Sequence, residues 1–210
     1  MRNFFRYVAI AIPVCLLVIS CATTTKLTHI WTDEAYRGSP VSDVLVIGVS
    51  DEGAVRRSFE DKFVKQLKET GIEAVSSAVA ISSDKKPDKE AIVSSIEKLG
   101  VDAVLVTHLL CVAKEEKYHP PSTSYRPAPY YYGGYYGYYG HVYDYVHTPG
   151  YYTTHTKVRL ETNLYEAKTE ELIWSGQSET WDPKSKEDVI DSVISVVIKN
   201  LQKNRLLPQK

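Results

Sequence analysis

Disulfide bonds cannot hold this chain together. It has three cysteines in 210 residues. Cys15 and Cys21 lie in an amino-terminal segment that reads as an export signal, which leaves Cys111 without an intrachain partner. An excess of one charge is lacking too. There are 25 Lys and Arg against 26 Asp and Glu, and removal of residues 1–20 takes away Arg2 and Arg6 and no acid, so 23 bases face 26 acids at a net −3. That balance excludes the basic surface on which nucleic-acid binding depends. The motifs that shape a phosphate cradle or a strained nucleophile are also missing. Gly48 and Gly53 do not make GxGxxG, and there is no GxxxxGK[ST] or GxSxG.

What is present begins at the amino terminus, MRNFFRYVAIAIPVCLLVISCATTTK. Arg2 and Arg6 precede an apolar run over 7–19, with small residues around Cys21, which is the layout of a secretory signal. A helix over that run would rise about 20 Å, short of the ~30 Å hydrocarbon core of a bilayer, so it is not read as a permanent span. Val18-Ile19-Ser20-Cys21 resembles the lipobox of bacterial lipoproteins. The resemblance implies cleavage before Cys21 and attachment of diacylglycerol and palmitate there. Two or three acyl chains are what stable anchoring requires. Ala22, where inner-membrane lipoproteins of many Gram-negative bacteria carry Asp, points to the outer membrane facing the periplasm.

The mature chain suits one domain with a real core. Residues 21–42, rich in Thr, Ser and Gly, read as a lipidated tether, although KLTHIWTD alternates enough to add an edge strand. DVLVIGVS, 43–50, reads as a strand buried on both faces. Val55, Phe59, Phe63 and Leu67 recur every four residues and predict an amphipathic helix ending at Gly71, with Arg56, Arg57, Glu60, Lys65 and Lys68 on its other side. IEAVSS is a second strand, and Pro87-Asp88 to Gly100 a second helix. VDAVLVTHLLCVA reads as a third strand apolar on both faces, so Cys111 is expected to be a small buried residue, with intermolecular pairing as the other reading. TTHTKVRLETNLYEA alternates cleanly and, through KTEE, forms a hairpin with LIWSGQSETW. Pro183 and Ser185 open a last helix. The order, βαβαβ then ββα, predicts an α/β fold over 43–205: a mixed sheet of three parallel strands with an antiparallel hairpin and a carboxy-terminal helix.

Strand ends followed by helix starts are where α/β folds often hold ligands. Asp51, Arg56 and Arg57 are thus a candidate anion site, or with Glu52 an acid and base; a solvated first turn explains them equally. Ser50, Ser76, Ser77 and His108 are the residues a nucleophilic set would draw on, and a concave pocket lined by Ser50, Asp51, Ser76 and His108 would favour it. No catalytic signature is present, and the chain is read as non-catalytic, with no cofactor.

RRSFEDKFVKQLKETGIEAVSS, VDAVLVTHLL and TNLYEAKTEELIWSGQSET resemble a group of uncharacterised bacterial lipoproteins that share a lipobox, this αβ body and a Tyr/Gly-rich insert. The resemblance implies an envelope location and transfers no catalytic residue. The element order is similar, in architecture only, to the amino-terminal domain of the Tol-system propeller protein and to the curli secretion lipoprotein.

Most unusual is PYYYGGYYGYYGHVYDYV, 129–146, in a chain with 16 tyrosines. Residues 117–152 read as a flexible Tyr/Gly/Pro-rich insertion between two strands, with too few aliphatic groups to offset its ordering. Tyrosine offers an apolar ring, a hydroxyl and few rotatable bonds, which suits contact surfaces. Tyr130, Tyr131, Tyr132, Tyr135, Tyr136, Tyr138 and Tyr139 are therefore candidate contacts to an envelope protein partner; stacking on glycan or at the lipid headgroup boundary is the other use. His119, His141, His147 and His155 lack the spacing of a metal motif.

Cys21→Ser is expected to abolish palmitate labelling and release the protein from the membrane fraction; unchanged retention would refute the anchor.

Overall fold

The computed structural model describes residues 24–81, 88–121, 134–139 and 150–208. Its elements are β1 (Thr24–Thr32), β2 (Asp43–Val49), α1 (Gly53–Glu69), β3 (Glu73–Ser76), α2 (Ser77–Ala80), α3 (Lys89–Leu99), β4 (Ala103–His119), β5 (Tyr151–Glu166), β6 (Leu172–Trp181) and α4 (Lys186–Lys203). One six-stranded mixed sheet runs in the order β1-β6-β5-β4-β2-β3. The expected α/β fold is present: β3, β2 and β4 are parallel, and β5 and β6 add antiparallel beyond β4. The Thr/Ser-rich stretch before residue 43 does more than tether, since β1 pairs antiparallel with β6 and closes that edge.

Alternation along β2 assigns the two faces. Val44 and Val46 point into the main core with Phe59, Phe63 and Leu67 of α1 and Val193, Ile194, Val197 and Leu201 of α4. Leu45 and Ile47 point to a smaller cluster with Ala80 of α2 and Ile92 and Ile96 of α3. Burial on both faces is why the run reads as continuously apolar. Trp174, fully buried, donates its indole N–H to Asn200 of α4 at 3.0 Å, so its polar edge is satisfied inside the core. Helix ends follow local chemistry. Asp88 accepts from the Ala91 amide at 2.8 Å and Ser185 from that of Asp188 at 3.1 Å. Gly100 takes the left-handed conformation that stops α3, with φ 66°.

The outer side of β1, β6 and β5 has no helix over it among the described residues, and it is polar. Arg159 donates to Glu179 through Nε at 2.8 Å and Nη2 at 2.5 Å, with Lys26 at 3.6 Å. The Arg159 hydrogen bond holds the Glu179 carboxyl below its usual range.

Two expectations for α1 are corrected. Arg56 and Glu60, assigned to its polar side, are buried, Glu60 at 0 % exposure. Glu60 Oε1 accepts from the Gly48 amide at 2.9 Å and the Ser77 hydroxyl at 2.7 Å; Oε2 accepts from the Ala78 amide at 2.8 Å. Arg56 Nε lies 3.7 Å from Oε1. Charge type alone suggested solvent, but three donors from two other elements make burial tolerable.

Glu60→Ala is expected to lower stability by about 3–5 kcal/mol, because it strands those buried donors. Asp191→Ala, which breaks the exposed Lys62–Asp191 pair at 2.8 Å, is expected to cost about 0–1 kcal/mol. Urea unfolding of the two variants measures the contrast.

Candidate functional site: a strand-end cleft and an aromatic arm

The carboxyl end of β2, the middle of β4 and the amino-terminal turns of α1 and α4 surround a cleft of about 700 Å³. Gly48, Val49, Thr107, Leu109, Val112, Val158 and Leu160 line its sheet side. Val55, Arg56 and Phe59 of α1 and Val189 and Ile190 of α4 line its helical side. Ser50, Asp51 and His108 are brought to it as the sequence suggested. Ser76 is not among the lining residues; its hydroxyl accepts from the Val79 amide at 3.3 Å and caps α2. Arg57 is exposed and does not line the cleft, so the candidate anion trio is divided. Across the mouth, Lys186 of α4 donates to Glu52 at 2.9 and 3.0 Å.

Past its last pair with β2, at Val49 and His108, β4 runs on with β5, which stays paired with β6 as far as Lys157 opposite Trp181; beyond Ala113 and Lys157 the two strands continue as a two-stranded arm. A register shift lies between Leu109 and Cys111, and pairing then continues to His119 opposite Tyr151. The apolar run LLCVA was expected to be buried, and this is corrected: Leu109, Leu110, Val112 and Cys111 are exposed. Hydrophobicity marks a buried strand only where a layer covers it, and these residues stand past the last pair with β2, where the cleft separates Leu109 and Val112 from the first turns of α1 and α4. The expected insertion over 117–152 likewise starts and ends in paired strand.

Cross-strand contacts order the arm. Tyr118 and Tyr152 meet with ring centroids 4.9 Å apart, and His119 stacks on Tyr151 at 4.8 Å with planes 10° apart. Lys157 pairs with Glu115 and sits 4.9 Å over the Trp181 ring. At the root, Asp182 has φ 46°, an uncommon conformation for a residue with a Cβ. It accepts from the Thr156 amide at 2.8 Å and meets His155 Nδ1 at 2.6 Å. His155 Nε2 reaches the Thr153 hydroxyl at 3.2 Å, and His119 Nε2 reaches it at 3.0 Å. Two of the four histidines weighed for metal capture are thus joined, through a hydroxyl. His141 and His147 lie outside the described residues, and among the described residues no three metal-ligating groups converge.

Of the candidate contact tyrosines, Tyr135, Tyr136, Tyr138 and Tyr139 form a helical turn and are all exposed. The Tyr135 and Tyr136 ring centroids are 4.1 Å apart, and the hydrogen bond between the two side chains raises the Tyr135 phenol above its ordinary value. Tyr130, Tyr131 and Tyr132 lie outside the described residues, as does Cys21. Composition flagged the tyrosine run, whereas Tyr118, Tyr151 and Tyr152 were passed over. Their signal was the alternation that continues β4 and β5 outward.

No protein-family model matches the chain, and no curated protein does. Solved structures do. The PelC dodecamer from Paraburkholderia phytofirmans is 13% identical with TM-score 0.45, over 86% of this chain and 99% of that one. Lipoprotein GNA1162 from Neisseria meningitidis is 15% identical with TM-score 0.41, over 77% of this chain and 99% of its own. The hypothetical protein CT253 from Chlamydia trachomatis is 8% identical with TM-score 0.38, over 77% and 96%. Among the described residues no helix is long and apolar enough to cross a membrane.

The His155 hydrogen bond, with the Thr156 amide, holds the Asp182 carboxyl below its usual value. The stability this pair contributes is therefore complete above the unfolded Asp value of about 3.9 and is lost as pH falls through the lower folded value. In an NMR titration His155→Ala is expected to move the Asp182 midpoint up toward the ordinary value; an unchanged midpoint would refute the pairing.

Proposed function

We propose that this protein is a lipid-anchored, non-catalytic binding module of the bacterial envelope, held at the outer membrane through Cys21, whose aromatic arm and loop are its contact surface. The observation that carries the reading is the exposed aromatic end of the arm. Tyr118, Tyr151 and Tyr152 crown it, and Tyr135, Tyr136, Tyr138 and Tyr139 belong to the chain that joins its two strands. Tyrosine and tryptophan commonly dominate contact energies because each buries a large area at low entropic cost. An isolated two-stranded ribbon is also marginal in water, and an arm left without a covering layer is suited to gaining one on binding.

A second reading is favoured by the cleft. Its volume and its mix of apolar walls with Ser50, Asp51, Arg56 and His108 suit a small ligand. Arg56 lies against Glu60, so its charge is directed into the fold as well as toward the cleft.

Replacing Tyr130, Tyr131, Tyr132, Tyr135 and Tyr136 by Ser is expected to abolish crosslinks formed in intact envelopes while leaving cooperative unfolding intact; of the five, Tyr135 and Tyr136 are described, and both are exposed. Crosslinks that persist in this variant yet vanish in the Arg56→Ala, Arg57→Ala double variant would move function to the cleft.

A further inference from the structure

The direction of the strands gathers the anchor, the cleft and the arm at one end of the molecule. β1 starts at Thr24, which pairs with Trp181, and Trp181 pairs with Lys157 at the root of the arm. Cys21 precedes Thr24 by three residues, a reach of about 10 Å at most for extended chain. From Lys157 to Tyr152 the arm continues five residues, about 17 Å at strand spacing. The aromatic end therefore extends along the strand direction at least as far as the chain can carry the anchoring sulfur.

Exposed apolar side chains concentrate at the same end. Val49, Leu109 and Val112 border the cleft, with Leu110 exposed on the same strand, and Tyr118, Tyr151 and Tyr152, 51, 56 and 67 % exposed, form the tip. The arm's charges are mixed, with Lys114 and Lys117 beside Glu115 and Glu116, which leaves a near-neutral stem between body and tip. Rings with a hydroxyl and a near-neutral stem match the chemistry of the water–hydrocarbon boundary, where tyrosine concentrates.

We infer that the partner of the arm is the lipid surface itself: the rings of Tyr118, Tyr151 and Tyr152 enter the headgroup region of the leaflet that holds the anchor, so the module stands on the membrane with the cleft mouth facing it. This rests on the reading of Cys21 as acylated. Tyr rather than Leu at the tip fits a residue that must be wetted at one end and buried at the other. The two contacts support each other. The acyl chains hold the tip at high local concentration over the surface, so weak insertion of three rings is enough to fix the orientation.

The test uses the full acylated protein in vesicles of phosphatidylethanolamine and phosphatidylglycerol, with Cys111→Ser and one nitroxide attached at Tyr152→Cys or, as a second arm site, Tyr118→Cys. Leu99→Cys, at the last residue of α3 and the opposite end of the fold, is the reference. Collision with oxygen is expected to exceed collision with a nickel chelate at 152 and 118, and the order is expected to reverse at 99. A water-like pattern at all three sites, with the acyl groups confirmed by mass spectrometry of the amino-terminal peptide, overturns the inference and leaves the anchored module standing. An unacylated peptide on protein that does not float with vesicles overturns both. A label at 152 that is aqueous in vesicles but immobilised in native envelopes also overturns it, in favour of a protein partner.

Discussion

The Glu60 carboxylate is the point on which the cleft end of the fold depends. It is fully buried, and its two oxygens take the Gly48 amide from β2 and the Ser77 hydroxyl and Ala78 amide from α2. These donors come from places where parallel strands run out and the chain turns away, which is where backbone amides lose ladder partners. A neutral or apolar residue at 60 could fill the space but could not accept from all three. Arg56, one turn earlier and 3.7 Å away, offsets part of the burial of charge. One side chain thereby joins α1, β2 and α2, and fixes the angle at which the first turn of α1 meets the sheet.

That fixed turn makes one wall of the cleft, and α4 makes the other. Both helices start at the same end because each follows a strand that finishes there, β2 before α1 and β6 before α4. β5 starts at this end as well, so the β4–β5 pair has room to continue outward where no helix lies over it. The arm is a consequence of topology plus two strands longer than the sheet they belong to. Its persistence outside the body comes from local terms: ring pairs at Tyr118–Tyr152 and His119–Tyr151, the Lys157–Glu115 ion pair, and the Asp182 anchor at its root. Cross-strand pairs of this kind contribute about 0.2–1 kcal/mol each, enough together to bias a ribbon toward order.

Much of the body was legible because each helix carries its own punctuation. Asp88, Ser185 and Gly100 stand where caps and stops are found, and the four-residue spacing of Phe59, Phe63 and Leu67 sets the buried face of α1. What was not legible shares one physical cause. Burial of Glu60 and exposure of Leu109, Leu110, Cys111 and Val112 both depend on what other segments do at those positions, and one-dimensional polarity carries no such information. Glu60 finds donors from segments twelve or more residues away, whereas Leu109 to Val112 find no covering helix among the described residues. The candidate trio of Asp51, Arg56 and Arg57 is divided for a simpler reason: neighbours in a helix face different directions, so Arg56 turns inward while Arg57 turns out.

The arm's chemistry also explains why tyrosine serves where a more hydrophobic residue would fail. Before any partner surface covers them the strands stand in water, and long, flat, aliphatic ribbons pair with one another at their edges. Lys114, Glu115, Glu116 and Lys117 interrupt the apolar run just beyond Val112 and keep the stem soluble. At the tip, each ring meets a cross-strand ring, Tyr118 with Tyr152 and Tyr151 with His119, and each tyrosine keeps a hydroxyl that can bond to water. The same rings can later exchange water for a less polar boundary without leaving an unsatisfied group. An aliphatic tip would gain more from burial, but it would have been driven to find burial too early.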